Sequence, residues 1–587
     1  MEKRKSSRRH QAIDHVGIPF RHPASTDRFV TVAPIFIHSS TVPSTNVNIK
    51  GSGSNSSGKG FIDFLAQSPF EIFCHIVSYL DTYTAIQCTQ VSGTWRTKLL
   101  SYHGLWRQME IRYPYKRQYR IPSTLLHHTR KLVIHDQVTA STNCTEFLRI
   151  HVFKNLESLE LCFSAGHGAN MRSPELLYNT LTYVGQTLTE LRIDWPRIQD
   201  TRISLSRILS ACQILTTIKV IAWSIKDCVV SRKTLLSQME RHSRQAIQPL
   251  FQLWPLIWRC PHLLHLEVNG CELDEEILPV LSNCCPELMT LITRKTTQLL
   301  YEDVTVSALH SSSATTRGLA QQHYNTINAG RPGELQCLVL HSIRSVIPLR
   351  SRLEKSQNSL RILSLLPRGG SEKDWTQLST LALPRLTFLH IKVSDITTTE
   401  FLRDHFPAML RGYDNLETLV LESYSDQYQQ RMLTDVIFGA VAELPNLVCL
   451  RLSHIDIRGR GFSQLLHNHS VCRRTSSLRE LALHHCTGVT TSILHSVAAN
   501  NNLKKLSIYQ PDQQVATSDV TSLVYHQMHQ LESLELGLMQ LTDESAADIA
   551  GCKNLAFLLL YKMNGAGKRR VDQLLKPFIK QVVVQWR

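Results

Sequence analysis

The chain lacks most of the short motifs by which enzymes, metal sites and membrane spans announce themselves. Its 587 residues contain no Gly-x-Ser-x-Gly and no His-Glu-x-x-His, so neither a nucleophile elbow nor a zinc-protease helix is written here. Gly53-x-x-x-x-Gly58-Lys59 is most of a phosphate loop, but Gly60 stands where a Ser or Thr must hold magnesium, and the stretch belongs to a Gly/Ser-rich run. There are 15 cysteines but no Cys-x-x-Cys pair, and His484-His485-Cys486 has no second ligand pair nearby; no metal or other cofactor is expected. An odd number of thiols suits a reducing compartment. Phe29 to Ile37 is too short to span a bilayer and is broken by Pro34, and Met1 to His10 is charged where a secretory signal needs an apolar stretch. No membrane association is expected, and an intracellular protein is.

The net charge of +16 raises nucleic acid as a partner. Much of the excess sits in Lys3-Arg4-Lys5, Arg8-Arg9, the stretch from Arg107 to Lys131, and Lys568-Arg569-Arg570. These clusters have simpler explanations as a tail, a connecting stretch and a turn, so nucleic-acid binding is only a minor alternative.

What the chain does have is recurrence. Fourteen times between Leu156 and Leu560 it repeats Leu-x-x-Leu-x-Leu or a near copy, as at Leu156-x-x-Leu159-x-Leu161, Leu447-x-x-Leu450-x-Leu452 and Leu531-x-x-Leu534-x-Leu536. Weaker copies start at Leu188, Leu215, Leu288, Leu360, Leu386 and Leu503, and most intervals are 24 to 32 residues. Leu-x-Leu is the alternation of a strand with one buried face, and the Leu three residues earlier covers the same core. Between strands come amphipathic stretches such as Ser492 to Ala499, with Ile493, Leu494, Val497 and Ala498 on one stripe. Strand, turn and helix at this period are the signature of leucine-rich repeats. The fold class expected is α/β, with parallel strands inside a horseshoe and helices outside, because strands stack more closely than helices. Cys212, Cys260, Cys285 and Cys552 each stand three positions before a leading Leu, a tight buried site that suits a small apolar side chain.

Two intervals, Leu215 to Leu263 and Leu288 to Leu335, are nearly double length. In the first, Thr234 to Leu256 reads as helical and suggests a degenerate repeat; in the second, Ser311 to Thr316 and Gly330 to Gly333 favour an inserted loop. Residues 1–60 have no periodicity and are expected to be a disordered basic and Gly/Ser-rich tail.

Residues 65 to 106 differ in kind. Ser68-Pro69-Phe70-Glu71 reads as a capped helix start, followed by Ile72, Phe73, Ile76, Val77 and Leu80 on one broad apolar side. A second short helix is expected from about Thr82, with Ala85, Ile86 and Cys88, and a third capped by Ser92, with Trp95, Leu99 and Leu100. About forty residues bury too little surface to fold well alone, and their apolar residues outnumber what three short helices hide, which points to a partner surface.

Leu65, Pro69, Glu71-Ile72, Ile76, Leu80-Asp81, Val91-Ser92, Trp95-Arg96 and Leu105-Trp106 resemble the F-box, and with the repeats behind it the chain resembles the F-box/leucine-rich-repeat family over residues 62 to 587. Ser68, Gln90, Gly93 and Thr94 depart from the family pattern. The resemblance implies a substrate-recognition subunit of an SCF-type ubiquitin ligase, itself non-catalytic. It would bind the Skp adaptor, and through it cullin and RING subunits, in the cytoplasm or nucleus. The adaptor-binding residues implied are Leu65, Pro69, Ile72, Ile76, Leu80, Ile86, Val91, Trp95, Leu105 and Trp106, among which Ile76, Val91 and Trp95 are expected to serve partly as core. The implied organisation is an F-box over 62–108, a connecting segment over 109–135, and the horseshoe with a C-terminal cap over 136–587. The repeats would hold an unidentified protein substrate, with Arg451, Ser453, Arg479, Glu480, His484, Tyr509, Glu532 and Glu535 nominated for the concave side. An F-box scaffold without ubiquitin transfer is the nearer alternative.

Overall fold

The computed structural model of the protein describes residues 67–112, 126–137, 148, 153–164, 175–195, 203–221, 225–226, 260–269, 285–294, 333–343, 347–367, 376, 378–392, 404–423, 431–458, 460–471, 478–500, 502–509, 515–565 and 573–586. The tail expected over residues 1–60, Leu65, and the helix expected over Thr234 to Leu256 lie outside them. Residues 64–587 form one compact unit.

That unit is a parallel sheet of 17 strands. In order these are β1 Gln108–Arg112, β2 Lys131–Gln137, β3 Ser158–Ser164, β4 Glu190–Asp194, β5 Thr217–Ile221 and β6 His265–Asn269. There follow β7 Thr290–Arg294, β8 Cys337–Ile343, β9 Ile362–Pro367, β10 Phe388–Lys392, β11 Thr418–Glu422 and β12 Cys449–Ser453. The last five are β13 Glu480–His484, β14 Lys505–Tyr509, β15 Ser533–Gly537, β16 Phe557–Gly565 and β17 Gln581–Trp586. Each pairs in parallel with the next in the chain, in a register that aligns every Leu-x-Leu with its neighbour: Leu450 faces Leu481, Leu481 faces Leu506, and Leu506 faces Leu534. The leucine-rich-repeat solenoid read from the sequence is therefore the fold.

The inward positions of the strands form one continuous apolar core with the leading residues and the connecting helices. Each fully buried leucine contributes about 1.5–3 kcal/mol of transfer free energy. The helix Thr491–Ala498 is capped by Thr490, whose hydroxyl accepts from the Ile493 N–H, and it buries Ile493, Leu494, Val497 and Ala498, the stripe the spacing predicts. Phe438 and Phe462, on the successive helices Arg431–Ala442 and Arg460–Val471, meet edge-on with ring centroids 5.1 Å apart. A second device joins the repeats. The residue before a leading Leu donates a side-chain hydrogen bond to a carbonyl of the previous repeat, as Asn155 does to His127, Asn415 to Pro384, Asn446 to Asp414 and Asn554 to His529, at 2.6–2.8 Å. Buried Cys212, Cys260 and Cys285 sit before their leading leucines as expected, whereas Cys552 is half-buried.

The 17 strands exceed the fourteen motif copies by three, and each extra strand has a disguised signature. Trp106-x-x-Met109-x-Ile111, Thr129-x-x-Leu132-x-Ile134 and Ile579-x-x-Val582-x-Val584 place Trp, Thr and Ile where other repeats have Leu, and all three side chains are buried. The sheet thus starts at Gln108, well before the horseshoe boundary expected at residue 136. Thr129 suits its site because its hydroxyl lies 3.0 Å from the Met109 sulfur.

Neither long interval contributes a strand to the ladder. Thr217 of β5 pairs directly with His265 of β6, and Thr290 of β7 with Cys337 of β8. No strand thus lies between these hydrogen-bonded neighbours, and the degenerate repeat expected over Thr234 to Leu256 and the loop expected at Ser311 to Thr316 fall outside the described residues.

Ahead of β1 lie four short helices: α1 Phe70–Val77, α2 Thr82–Cys88, α3 Gly93–Ser101 and α4 His103–Trp106. Asp81 caps α2 by accepting from the Thr84 N–H at 2.7 Å, and Ser92 caps α3 by accepting from Trp95 at 3.1 Å. The capping box expected around Ser68 does not form. Pro69 is the N-cap of α1, and Ser68 is buried with its carbonyl accepting from Lys98 Nζ at 2.9 Å, which pins α3 to the start of α1. The Thr82 hydroxyl accepts from the backbone N–H of Glu110 at 2.9 Å, so α2 covers part of the outer edge of β1.

Candidate functional site

Two surfaces stand out, the outer side of the four helices and the face of the sheet turned away from the connecting helices. On α1 the apolar residues split into two stripes rather than one broad side. Phe73 and Val77, four apart, point inward and join the main core with Ala85 and Leu99. Pro69, Ile72 and Ile76, at helical spacing, lie on the other side; Pro69 is exposed, Ile72 is 49 % exposed and Ile76 is half-buried.

The remaining expected adaptor residues divide. Val91 is 64 % exposed, not partly core, because it sits in the turn between α2 and α3 with nothing packed outside it. Trp95 is half-buried, as are Leu80, Ile86 and Leu105, which pack against the core from its rim. Trp106 is a correction: it is fully buried and cannot offer a surface, because it fills the leading position of the first repeat. Sequence reading missed Phe70, Tyr79 and Tyr83, which are 44 %, 77 % and 44 % exposed and widen the apolar patch. Tyr79 was legible in principle, since it follows Ile72 and Ile76 at positions i+7 and i+3.

On the sheet, alternate strand residues face away from the core. Register places Glu110, Val133, Glu160, Arg192, Lys219, Glu267, Ile292, Val339, Ser364, His390, Val420, Arg451, Ala482, Ser507, Glu535, Leu559 and Val583 in one central row. Charges along this row are largely paired across strands. Arg192 lies 3.2 Å from Glu160 and Lys219 2.8 Å from Glu267 toward the amino-terminal end. Toward the other end, Lys505 lies 2.8 Å from Glu535, and that pair is almost fully buried. Midway, Ile292, Cys337 and Val339 with Ile362 form a small apolar cluster separate from the main core.

Of the concave residues nominated, Arg451, Ser453, Glu480, His484, Tyr509 and Glu535 occupy this face. Arg479 and Glu532 do not; they lie in the turns before their strands, where Glu532 pairs with Lys504 at 2.6 Å. Burial, with Arg451 as the next cause, pushes the His484 imidazole down to about 3, so it is neutral at physiological pH, and its Nε2 lies 3.0 Å from Ser507 Oγ. Burial and the Glu535 charge push the Tyr509 phenol far up, so it remains protonated.

One group on this face has the residue types of an acyl-transfer relay. Ser364 Oγ lies 3.0 Å from His390 Nδ1, and His390 Nε2 lies 3.2 Å from Glu422 Oε1. Their strands are interior to the ladder, so the nearby backbone N–H groups bond to neighbouring strands and leave no oxyanion-binding pair. The trio is a cross-strand polar network. Among the described residues no group of three or more His, Cys, Asp or Glu is placed to hold a metal ion, and no helix is long and apolar enough to cross a membrane.

No protein-family model matches the chain, and no curated protein matches it. Among solved structures, an internalin (inlF) from Listeria monocytogenes is similar over 76% of this chain and 95% of that one, at 14% identity and a TM-score of 0.30. An internalin C2 (inlC2) from the same organism is similar over 31% of this chain and 75% of that one, at 15% identity and a TM-score of 0.20. Similarity this low carries nothing about binding or activity, and the repeat fold stands on the ladder itself.

Proposed function

We propose that the protein is a substrate receptor of a cullin-type ubiquitin ligase, with α1–α3 as the docking module for a Skp-type adaptor and the open face of the sheet as the surface that holds a protein substrate. The observation that carries this reading is the exposed apolar patch of Pro69 and Ile72, with Val91 beside the next helix and Phe70, Tyr79 and Tyr83 around them, on a unit whose Phe73, Val77, Ala85 and Leu99 are buried. A free surface of that kind is costly in water and marks an interaction site. The sequence likeness of Pro69, Ile72, Leu80, Val91 and Trp95 to the F-box says which partner would cover it. The mechanism needs no bond chemistry from this chain. Holding a substrate on the same rigid body as the adaptor raises its effective concentration near the ubiquitin carrier.

Affinity capture of the full chain beside an Ile72→Glu, Val91→Glu variant tests the reading. Adaptor and cullin should co-purify with wild type and fall at least tenfold with the variant. Capture of neither by wild type would remove the ligase role and leave a repeat protein whose partner is bound elsewhere.

A further inference from the structure

Among the described residues the exposed tyrosines are Tyr79, Tyr83, Tyr183 and Tyr525, and they differ in backbone setting. Tyr83 lies within α2, Tyr183 within the helix Glu175–Val184 and Tyr525 within the helix Thr517–Gln527. Tyr79 lies outside any helix, in the connection between the end of α1 at Val77 and the start of α2 at Thr82, and it is 77% exposed. Its backbone bonds are local: the Tyr79 N–H donates to the Ile76 carbonyl at 3.3 Å, and the Leu80 N–H to the Val77 carbonyl at 3.0 Å. A side chain that must be drawn into another enzyme's cleft is reached more easily from such a turn than from a helix interior, where hydrogen bonds on both sides must open first.

A new charge at this position would act on the docking surface directly. Tyr79 follows Ile72 and Ile76 on the exposed stripe, and its ring packs edge-on to His75, in the last turn of α1, with centroids 5.3 Å apart. A phosphate on its oxygen would add about −1.5 to −2 charges at neutral pH. It would stand beside the carbonyl end of α1, where the helix dipole is already negative. The Asp81 carboxylate, which caps α2, is two residues away in the chain. The surrounding patch is apolar, so a partner covering it would have to strip the phosphate of water without replacing it.

We propose that Tyr79 is a phosphorylation site through which docking of the adaptor is switched off. A tyrosine kinase would transfer the γ-phosphoryl group of ATP to the phenolic oxygen. The new O–P bond forms as the bond to the β-phosphate oxygen breaks, ADP leaves, and the phenolic proton passes to solvent. Modification and docking then compete, because an adaptor seated on Ile72 and Ile76 covers the ring that the kinase must reach. The proposal rests on the reading of α1–α3 as the docking module and names a regulation of that same surface.

The test treats the full chain with a broad-specificity tyrosine kinase and magnesium ATP, maps the modified residues by mass spectrometry, and measures capture of a purified Skp-type adaptor before and after. Tyr79 should be modified at least fivefold faster than Tyr83, Tyr183 or Tyr525, and prior loading with adaptor should slow it at least fivefold. Capture should fall at least tenfold on phosphorylation and return on treatment with a tyrosine phosphatase. In Tyr79→Phe, which keeps the ring and lacks the acceptor oxygen, capture should be the same before and after kinase treatment. Modification of Tyr79 no faster than of the helical tyrosines, unchanged capture by the phosphorylated protein, or an equal fall in Tyr79→Phe would each overturn the proposal while leaving the docking module standing. A wild type that captures no adaptor before treatment would instead overturn the docking reading and the switch with it.

Discussion

The indole N–H of Trp106 donates to the carbonyl of Leu99 at 2.8 Å, wholly inside the protein. Through this bond the last turn of α3 is fixed to the first residue of the first repeat. Trp106 belongs to two structures at once, closing the helical unit and occupying the leading inward position of the sheet.

Trp106→Ala should therefore unfold both together. Removing a buried tryptophan costs about 3–5 kcal/mol, and circular dichroism should show one lowered transition rather than two. Ile72→Glu, on the exposed stripe, should change stability by less than about 0.5 kcal/mol. Independent melting of the helices in Trp106→Ala would show that the bond does not couple them.

Because Thr290 pairs with Cys337 across a long insertion, shortening that insertion should leave the sheet intact. Excising roughly twenty residues from within 297–330 would restore an ordinary repeat length. The variant is expected to keep the wild-type far-ultraviolet spectrum and to melt within a few degrees of it. A large loss of strand signal would mean that the intervening residues hold β7 and β8 together.

His484 gives the fold a dependence on acid. Its folded value, about 3, lies below the ordinary imidazole value of 6.5, so the unfolded chain binds its proton first as pH falls. Its share of stability is complete above pH 6.5 and is lost on descending toward 3, at a limiting slope of about 1.4 kcal/mol per pH unit, reduced by the side chain's partial exposure. Urea titrations of His484→Gln between pH 7 and 5 should show a shallower decline than wild type. Parallel declines would remove His484 as the cause.

Thiols in the repeat core should be inert. Burial pushes Cys212 up to about 12, so almost no thiolate exists at neutral pH, and its sulfur is also out of reach. A Cys212→Ser variant should therefore lose no counts in thiol titration of the native protein and one count after denaturation. A lost native count would show that the first repeats open readily.

How much was legible follows from which rule each residue obeys. The Leu-x-x-Leu-x-Leu copies gave register as well as fold, because a one-residue slip would turn every Leu450-type side chain to the wrong face. Trp106, Thr129 and Ile579 escaped because they satisfy the inward position with a different side chain, so the repeat begins and ends beyond its visible signature. The stripe of Ile72 and Ile76 could not be separated from Phe73 and Val77 in the sequence, since neighbouring stripes of one helix are equally apolar. Tyr509 was nominated for the open face by its strand position alone; its packing on His484 and over Gly537 exists only once neighbouring repeats have been laid side by side.

A stacked array exposes a greasy cross-section at each terminus, where the next layer is missing. Thr82, bonded to the Glu110 amide, and the hydrophobes Phe73, Val77 and Ala85 cork that opening at the front. Any lesion that loosens the cork should weaken the layers behind it as well, so a defect in the foremost helices would be felt far beyond them.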